Sequence, residues 1–207
     1  MTQIKFPFVG VAGNIGVGKT TFTKIIADRL GWVPYFESVD DNPYLTDFYA
    51  DMKRWGFHLQ IYFLHHRFAM QKSIAHNQSG VIQDRTIYED VEIFTRNLHL
   101  LGHLDNRDWV NYRDLFQVMT SYLRPPDLIV YLQANTDTLL SRIHGRDRDF
   151  ESGIDPEYLH ALNIAYNTWI DGLNTIPVLR VDTNQFNIFT DGERLDTIIT
   201  QIQDILE

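Results

Sequence analysis

The sequence contains a glycine-rich loop, Gly13–Thr20, that fits the pattern G-x-x-x-x-G-K-[ST] in full. An apolar run, Phe6–Ala12, precedes the loop, and a segment with helical spacing, Lys19–Leu30, follows it. A chance match in a glycine-rich turn would lack this context, because a phosphate-binding loop of this type lies between a strand and a helix. The chain is therefore expected to fold so that a buried strand, a tight turn and a helix N-terminus meet at a nucleoside triphosphate. The motif does not specify a reaction.

Each part of the loop has an expected task. The glycines allow backbone N–H groups to curl around phosphate oxygens. Lys19 is expected to reach the β- and γ-phosphates, and the hydroxyl of Thr20 to coordinate Mg²⁺. The expected ATP contacts of the loop are Gly13, Asn14, Ile15, Gly16, Val17, Gly18, Lys19, Thr20 and Thr21.

The rest of the chain alternates between short apolar runs and segments with helical spacing. The predicted strands are Phe6–Ala12, Trp32–Phe36, Gly80–Asp84, Asp127–Leu132 and Val178–Val181. The predicted helices are Lys19–Leu30, Phe57–Asn77, Ile87–Leu101, Arg107–Leu123, a helix beginning near Asn135, and an amphipathic C-terminal helix that includes Leu195 and Leu206. This alternation predicts an α/β fold with a parallel sheet flanked by helices. We see no repeat or linker, so residues 1–207 are predicted to form a single domain.

Composition excludes several classes of protein. The 207 residues carry 18 Lys+Arg and 27 Asp+Glu, a net charge of −9, which argues against a nucleic-acid partner. Hydrophobic residues make up 44%, which argues against disorder, and the absence of cysteine excludes disulfides and thiolate chemistry. No segment approaches the ~18 consecutive apolar residues of a membrane span. The N-terminus lacks the apolar region of a signal peptide, so we expect a soluble cytoplasmic protein that binds no membrane.

The sequence favours a kinase over a switch GTPase or an ATPase motor. It has no N-K-x-D run to read a guanine base and no apolar strand that ends in Asp-Glu. A kinase needs a carboxylate to accept the proton of the acceptor hydroxyl and cations to stabilise the transferred phosphoryl group. Glu37 follows the predicted second strand, where open α/β sheets place their chemistry. The alternative is that Glu37 is a solvated carboxylate in a loop.

Arginines are concentrated between the predicted helix near Asn135 and the next segment. Arg142, Arg146 and Arg148 lie within seven residues of an acidic protein. Such a cluster is typical of a lid that clamps phosphates, here about 142–153. The alternative is a solvated face on which the interleaved aspartates pair with the arginines.

Taken together, these motifs resemble the deoxyribonucleoside kinase family, which includes deoxycytidine, deoxyguanosine and bacterial deoxyadenosine kinases. The resemblance covers most of the chain, about residues 8–186. The matching segments are the loop Gly13–Thr21, Glu37-Ser38-Val39, Asp84-Arg85-Thr86, the arginine lid followed by Glu151-Ser152-Gly153-Ile154, and Val181-Asp182-Thr183-Asn184. Ser38 stands where several relatives have Pro, and Thr86 where they have Ser, and neither departure changes the available chemistry.

The resemblance implies an activity and a role for each matched residue. The activity is transfer of the γ-phosphoryl group of ATP to the 5′-hydroxyl of a deoxyribonucleoside. Glu37 is then the base and Arg85 holds Glu37 and the hydroxyl in line, while Lys19 and the lid arginines neutralise phosphate charge. Thr20 and Asp84 hold Mg²⁺, and Asp182 lies in the loop beneath the donor adenine.

The resemblance also implies a base-binding pocket of four side chains. Gln60 and Arg67 are seven residues apart, and Asp90 and Phe94 are four apart, so each pair shares a helix face. In the family these positions read and stack on the base. The alternatives are a salt bridge between Arg67 and Asp90 and core packing of Phe94.

The matched residues also indicate which sugar and base are bound. Tyr49 and Glu151 match the pair that holds the 3′-hydroxyl, although core packing of Tyr49 is an alternative. An ionised Asp90 accepts hydrogen bonds and Arg67 donates them, so a base with an amino group fits and thymine fits worst. We expect deoxyadenosine first, then deoxyguanosine or deoxycytidine.

The sequence leaves two alternative functions open, and the family resemblance also implies an oligomeric state. A nucleoside monophosphate kinase such as a thymidylate kinase shares the loop and a basic lid, and a non-catalytic nucleotide-sensing domain shares the loop. The family is commonly dimeric, so a homodimer is expected, with the aromatic-rich segment Phe94 to Tyr122 as one source of the interface.

Overall fold

The computed structural model describes residues 5–36, 41–145 and 153–207. Within these ranges the strands are β1 Phe8–Gly13, β2 Val33–Tyr35, β3 Val81–Asp84, β4 Leu128–Gln133 and β5 Val178–Asp182. The helices are α1 Lys19–Leu30, α2 Leu45–Ala50, α3 Met52–Ile74, α4 Ile87–Glu89, α5 Arg96–Leu100, α6 Asn106–Thr120, α7 Thr136–His144, α8 Pro156–Gly172 and α9 Gly192–Leu206. A π-helical segment, Asp90–Thr95, joins α4 to α5.

The five strands described form one parallel sheet in the order β2-β3-β1-β4-β5. The central strands β1, β3 and β4 are buried almost throughout, which explains why their sequences are nearly continuous apolar runs. Helices cover the sheet, so the predicted parallel α/β fold is confirmed. Because all strands are parallel, their carboxyl ends meet at one edge, where β1 ends at Gly13 and β3 ends at Asp84.

Two helices were not predicted from the sequence. Helix α2 contains six residues, too few to show a helical period. Helix α8 begins at Pro156 after Asp155, whose side chain accepts a hydrogen bond from the N–H of Glu157 at 2.9 Å. An N-cap aspartate followed by Pro at the first helical position is a recognisable start signal, so the sequence did contain this information.

Two predicted helices have different bounds or geometry. The helix predicted over Phe57–Asn77 begins at Met52, because Asp51 caps it by accepting a hydrogen bond from the N–H of Arg54. The segment predicted as one helix over Ile87–Leu101 contains the π-helical turn, a geometry that is frequent at functional sites. Among the helices of the ranges described, none is both long and apolar enough to cross a membrane.

Candidate active site

The phosphate loop connects β1 to α1 through backbone conformations that favour glycine. Gly13, Gly16 and Gly18 have φ angles of 151°, 84° and 101°. At Gly16 the space is also closed, since a Cβ there would lie 2.9 Å from the carbonyl oxygen of Leu139. Gly13 and Gly16 are therefore required by both dihedral angle and close approach, and Gly18 by its dihedral angle alone.

Asn14 fixes the loop against α8. Its Nδ2 donates to the carbonyl oxygen of Leu159 at 3.0 Å and to Oδ1 of Asn163 at 3.1 Å. Its Oδ1 accepts a hydrogen bond from the N–H of Ile15 at 2.8 Å. Since Asn14 is 2% exposed, these bonds hold the loop from the protein side and leave its other side for a ligand.

Lys19 lies across the inside of the loop. Its Nζ donates to the carbonyl oxygens of Gly13 at 2.8 Å and Asn14 at 3.0 Å. The ammonium group is thus held at the mouth of the loop, where the N-terminus of α1 adds partial positive charge.

Thr20 and Asp84 bring two oxygen ligands together beside the loop. Oγ1 of Thr20 donates to Oδ2 of Asp84 at 2.6 Å. The second oxygen of Asp84, Oδ1, is buried and accepts no hydrogen bond from the residues described. A hydroxyl and a carboxylate beside a phosphate loop fit Mg²⁺, which prefers oxygen ligands and takes few of them from the protein.

Arg85 follows Asp84 in an unusual backbone conformation. Its φ of 67° lies in the left-handed region, which costs a non-glycine residue roughly 1–3 kcal/mol. The guanidinium carbon lies 4.4 Å from the ring centroid of Phe94, and Nη1 donates to the hydroxyl of Tyr166 at 2.8 Å. The strained backbone conformation therefore occurs at a residue whose guanidinium lines the pocket.

Glu89 is a buried carboxylate that the sequence analysis missed. Its Oε1 accepts hydrogen bonds from the hydroxyl of Tyr166 at 2.8 Å and from the N–H of Gly13 at 3.4 Å. Its Oε2 accepts from the N–H of Thr86 at 2.9 Å. Burial raises the pKa of Glu89, and the cations of Arg85 and Lys19 oppose that rise. The spacing Thr86-x-x-Glu89 before an apolar run is the signature of a helix capping box, so a signal existed for its position but none for its contacts.

These elements line a pocket, here called the inner pocket. The phosphate loop and Asp84 lie at one end, and side chains of α3 and the π-helical segment line the other. The predicted site residues that line it are Ile15, Gly16, Gly18, Lys19, Thr20, Tyr49, Gln60, Arg67, Asp84, Arg85, Asp90 and Phe94. The structure therefore brings the predicted phosphate and base contacts into one cavity.

The polar groups at the far end of the inner pocket are buried. Arg67 and Asp90 are 4% and 1% exposed and are joined by a hydrogen-bonded ion pair from Nη1 to Oδ1. The guanidinium of Arg67 also lies over the ring of Phe63, 4.8 Å from its centroid. The π-helical turn places both Asp90 and Phe94 on the pocket side, so the salt bridge and the predicted base site are the same residues.

Gln60 is oriented by Thr95. Oγ1 of Thr95 lies 3.2 Å from Oε1 of Gln60 and 2.7 Å from the carbonyl oxygen of Asp90. A hydroxyl has one proton, so it donates to one of these oxygens at a time. When Thr95 donates to Gln60, the amide oxygen of Gln60 faces Thr95 and its NH₂ group is left for a ligand. When Thr95 donates to Asp90 instead, its oxygen can accept from the NH₂ group of Gln60, and the amide oxygen is left for a ligand.

A second, more open pocket, here called the outer pocket, lies on the other side of the phosphate loop. Its lining includes Gly16, Thr21, Arg142 and the segment 183–189 that follows β5. Nη1 of Arg142 donates to the carbonyl oxygen of Val17 at 3.2 Å and to Oγ1 of Thr183 at 3.0 Å. Arg142 is thus bound to the phosphate loop and to the segment after β5 at once.

Of the remaining predicted site residues, the structure describes Asp182 but not those of the loop after β2 or of the lid. Asp182 is exposed and folds the segment after β5 by accepting bonds from N and Nδ2 of Asn184 at 2.8 and 2.7 Å. Glu37, Arg146, Arg148 and Glu151 lie outside the described residues, as does most of the predicted lid.

Comparison with known proteins identifies the family. A sequence model described as deoxynucleoside kinase matches residues 9–207. The chain belongs to the deoxynucleoside kinase family. It is 40% identical over 204 residues, 98% of this chain and 94% of the relative, to a deoxyadenosine/deoxycytidine kinase of Bacillus subtilis. It is 42% identical over 192 residues, 92% of this chain and 77% of the relative, to a deoxyadenosine kinase of Dictyostelium discoideum.

Solved structures of this family share the fold. A deoxyadenosine kinase from M. mycoides with bound dATP superposes with a TM-score of 0.83 at 31% identity, over 94% of this chain and 99% of that chain. The resemblance stated from the motifs is therefore confirmed, as is the prediction of an ATP-dependent deoxynucleoside kinase.

Proposed function

We propose that this kinase phosphorylates the 5′-hydroxyl of deoxyadenosine in preference to the other deoxynucleosides, with deoxyguanosine and deoxycytidine as further acceptors. One observation carries the proposal. The inner pocket joins a phosphate loop at one end to a buried Arg67–Asp90 pair beside Gln60 at the other. A nucleoside bound with its base at the far end presents its sugar to the loop.

The base preference follows from which groups donate and which accept. The carboxylate of Asp90 accepts from an exocyclic amino group, and Arg67 donates to a ring nitrogen or carbonyl oxygen. Adenine, guanine and cytosine each offer an amino group, whereas thymine leaves the buried carboxylate without one, which costs binding free energy. The names of the relatives from B. subtilis and D. discoideum, both of which include deoxyadenosine, support adenine as the first choice.

Sugar and donor contacts complete the assignment. Tyr49 lines the inner pocket, and we assign it with Glu151 to the 3′-hydroxyl. The outer pocket is assigned to the donor adenine, with Asp182 shaping its rim through Asn184.

The reaction has a defined balance of bonds. The 5′-oxygen attacks the γ-phosphorus of ATP, an O–P bond forms, and the bond from that phosphorus to the β,γ-bridging oxygen breaks to release ADP. Glu37, which follows β2 in the sequence, accepts the hydroxyl proton. Support for Glu37 comes from β2, which ends beside β3, whose own end carries Asp84 and Arg85.

Cations around the phosphates stabilise the transferred group. Lys19 and Arg85 reach it from the inner pocket, and Arg142, Arg146 and Arg148 belong to the proposed lid, about 142–153. Thr20 and Asp84 would hold Mg²⁺, which supplies charge neutralisation of the phosphate oxygens when bound. The buried Oδ1 of Asp84 supports this assignment.

We further propose a homodimer that works in the cytoplasm, where ATP is available. A groove between α5 and α8 contains the apolar side chains of Leu100 and Ile164, which are 72% and 54% exposed. Contiguous exposed apolar patches mark interaction sites, and the occupant that we propose for this groove is a second copy of the chain.

A single assay tests the function. ATP consumption is measured with each of the four deoxynucleosides, with each monophosphate, and with no acceptor. We expect turnover with deoxyadenosine, less with deoxyguanosine and deoxycytidine, and least with thymidine. Faster turnover with a monophosphate than with any nucleoside, or ATP consumption that no acceptor changes, contradicts the proposal.

A further inference from the structure

Tyr166 and Glu89 form a hydrogen-bonded chain that ends on Arg85. The hydroxyl of Tyr166 accepts a bond from Nη1 of Arg85 at 2.8 Å and lies 2.8 Å from Oε1 of Glu89. Because Nη1 can only donate, the single proton of Tyr166 is left to point at Glu89. The chain therefore runs in one direction, from guanidinium to phenol to carboxylate.

The carboxylate at the end of this chain accepts three hydrogen bonds. Besides the bond from Tyr166, it accepts bonds from the N–H groups of Thr86 at 2.9 Å and Gly13 at 3.4 Å. All three groups donate to Glu89, and hydrogen bonds of this kind favour its ionised form. Glu89 is also 0% exposed, so water does not compete for these bonds.

The contacts of Glu89 connect the two halves of the reaction centre. Gly13 begins the phosphate loop, and Thr86 follows Arg85 at the end of β3. One carboxylate thus contacts the backbone on the donor side directly and Arg85 on the acceptor side through Tyr166. Such a link fixes the distance between the phosphate loop and Arg85. Misplacement of a catalytic group by about 1 Å can lower the rate of the chemical step by about a hundredfold.

Tyr166 is itself held in place by rings. It stacks on Tyr131 with centroids 5.9 Å apart and meets Phe94 edge to face at 6.4 Å. Phe94 in turn lies beneath the guanidinium of Arg85. The phenol therefore cannot swing away to offer its oxygen elsewhere, and Arg85 is held by both a bond and a ring.

We propose that Tyr166 and Glu89 are positioning residues for phosphoryl transfer, which hold the guanidinium of Arg85 in register with the phosphate loop. The proposal rests on the role assigned to Arg85 under the proposed function. Neither residue is assigned a contact with a reacting atom. Tyr166 therefore acts on kcat through Arg85, and Glu89 acts through Tyr166 and through its bond to the backbone of Gly13.

The test is a double-mutant cycle on the full-length enzyme with Tyr166→Phe and Arg85→Met. Tyr166→Phe removes one hydroxyl and keeps the ring packing. We expect it to lower kcat by roughly ten- to hundredfold, with KM for nucleoside and ATP within about threefold of wild type. In the Arg85→Met background the same substitution should change kcat by less than about twofold, since the group it positions is gone.

A matched control separates positioning from general packing. Tyr131→Phe also removes the hydroxyl of a buried tyrosine and keeps the ring that stacks on Tyr166. That hydroxyl donates to Oδ1 of Asn167 at 3.0 Å and not to the chain that ends on Arg85, so we expect kcat to stay near wild type. Glu89→Gln keeps the shape of the side chain but not its charge, and should lower kcat as Tyr166→Phe does. Thermal unfolding of each variant shows whether it is folded, and if Glu89→Gln is not, the Tyr166→Phe cycle decides.

The outcomes distinguish the two proposals. Wild-type kcat in Arg85→Met overturns the role of Arg85 and this inference with it. A large loss in Arg85→Met with none in Tyr166→Phe overturns this inference alone. An equal loss from Tyr166→Phe in both backgrounds shows that Tyr166 does not act through Arg85, and also overturns it.

Discussion

The inner and outer pockets hold their polar groups in different ways. In the inner pocket Gln60, Arg67 and Asp90 are at most 4% exposed and bond to one another or to buried neighbours. In the outer pocket the segment after β5 is more open, and Phe189 is 77% exposed. The side chain of Asp182 bonds within its own loop, to Asn184.

This difference predicts unequal selectivity. A site built from buried hydrogen-bonding groups rejects a ligand that leaves one of them unpaired, because the lost bond is not replaced by water. A site on an exposed loop lets water replace a lost bond. Under the proposed function, we therefore expect tighter selection of the acceptor base than of the donor base, and four substitutions test this comparison.

The largest expected effect is on the chemical step itself. Glu37→Gln removes the proposed base and should lower kcat by roughly two to four powers of ten, with KM for deoxyadenosine and ATP little changed. Single-turnover kinetics measure the rate of the chemical step, and a nucleoside-binding assay measures affinity separately. Near-normal kcat would remove Glu37 from this role and leave the chemistry unassigned.

Asp90→Asn should have the next largest effect, confined to the inner pocket. It removes the counter-charge that Asp90 gives Arg67, and breaking a buried pair in this way lowers folding stability by about 3–5 kcal/mol. The amino group of the base also loses a charged acceptor, a hydrogen bond worth about 1.5–3 kcal/mol, so we expect kcat/KM for deoxyadenosine to fall by roughly one to two powers of ten, with KM for ATP nearly constant.

The control for Asp90→Asn is Glu92→Gln on the same helical segment. Glu92 is 41% exposed and pairs with Arg96 at 3.7 Å, so its substitution should change kcat/KM little. A comparable loss of kcat/KM in Glu92→Gln would show that the effect is not specific to the inner pocket. A matching rise in KM for ATP in Asp90→Asn would contradict the assignment of acceptor and donor to separate pockets.

Thr95→Val should have a moderate effect on choice of base. It removes the hydroxyl that orients the Gln60 amide, a hydrogen bond worth about 0.5–1.5 kcal/mol. The ratio of kcat/KM between deoxyadenosine and deoxyguanosine should move toward one by roughly two- to tenfold. Thr23→Val is the control, because Thr23 is equally buried and lies in α1, and it should leave the ratio unchanged.

Asp182→Asn should have the smallest effect. The aspartate is exposed and its bonds to Asn184 are replaceable by water or by the new amide, so KM for ATP should rise by no more than about threefold. KM for deoxyadenosine should stay constant. A larger loss than that of Asp90→Asn would reverse the ranking of the two pockets.

Local patterns in the sequence carried much of the site. The loop Gly13–Thr20 is a local pattern, so it can be read from the sequence directly. Helical spacing placed Gln60 with Arg67 and Asp90 with Phe94 on shared faces, whereas the family resemblance supplied their role as base contacts. The same holds for α1, whose predicted and observed bounds agree at Lys19 and Leu30. The parallel sheet follows from alternation of strands and helices, and was predicted for that reason.

Long-range contacts could not be predicted in this way. Glu89 meets Gly13 across 76 positions and Tyr166 across 77. Asn14 meets Leu159 across 145 positions. No local period links such residues, because helix α8, which carries two of them, reaches the loop only when the sheet and its crossovers have formed.

The sequence by itself determined that this protein binds a triphosphate, that it is built on a parallel sheet, and which residues are candidates for the nucleoside. These properties depend on local backbone geometry and on residue type. The tertiary structure decided how those residues are held: the strained φ of Arg85, the π-helical turn that places Asp90 and Phe94, and the buried carboxylate of Glu89. Burial and hydrogen-bond partners depend on the packing of distant segments, and packing exists only in three dimensions.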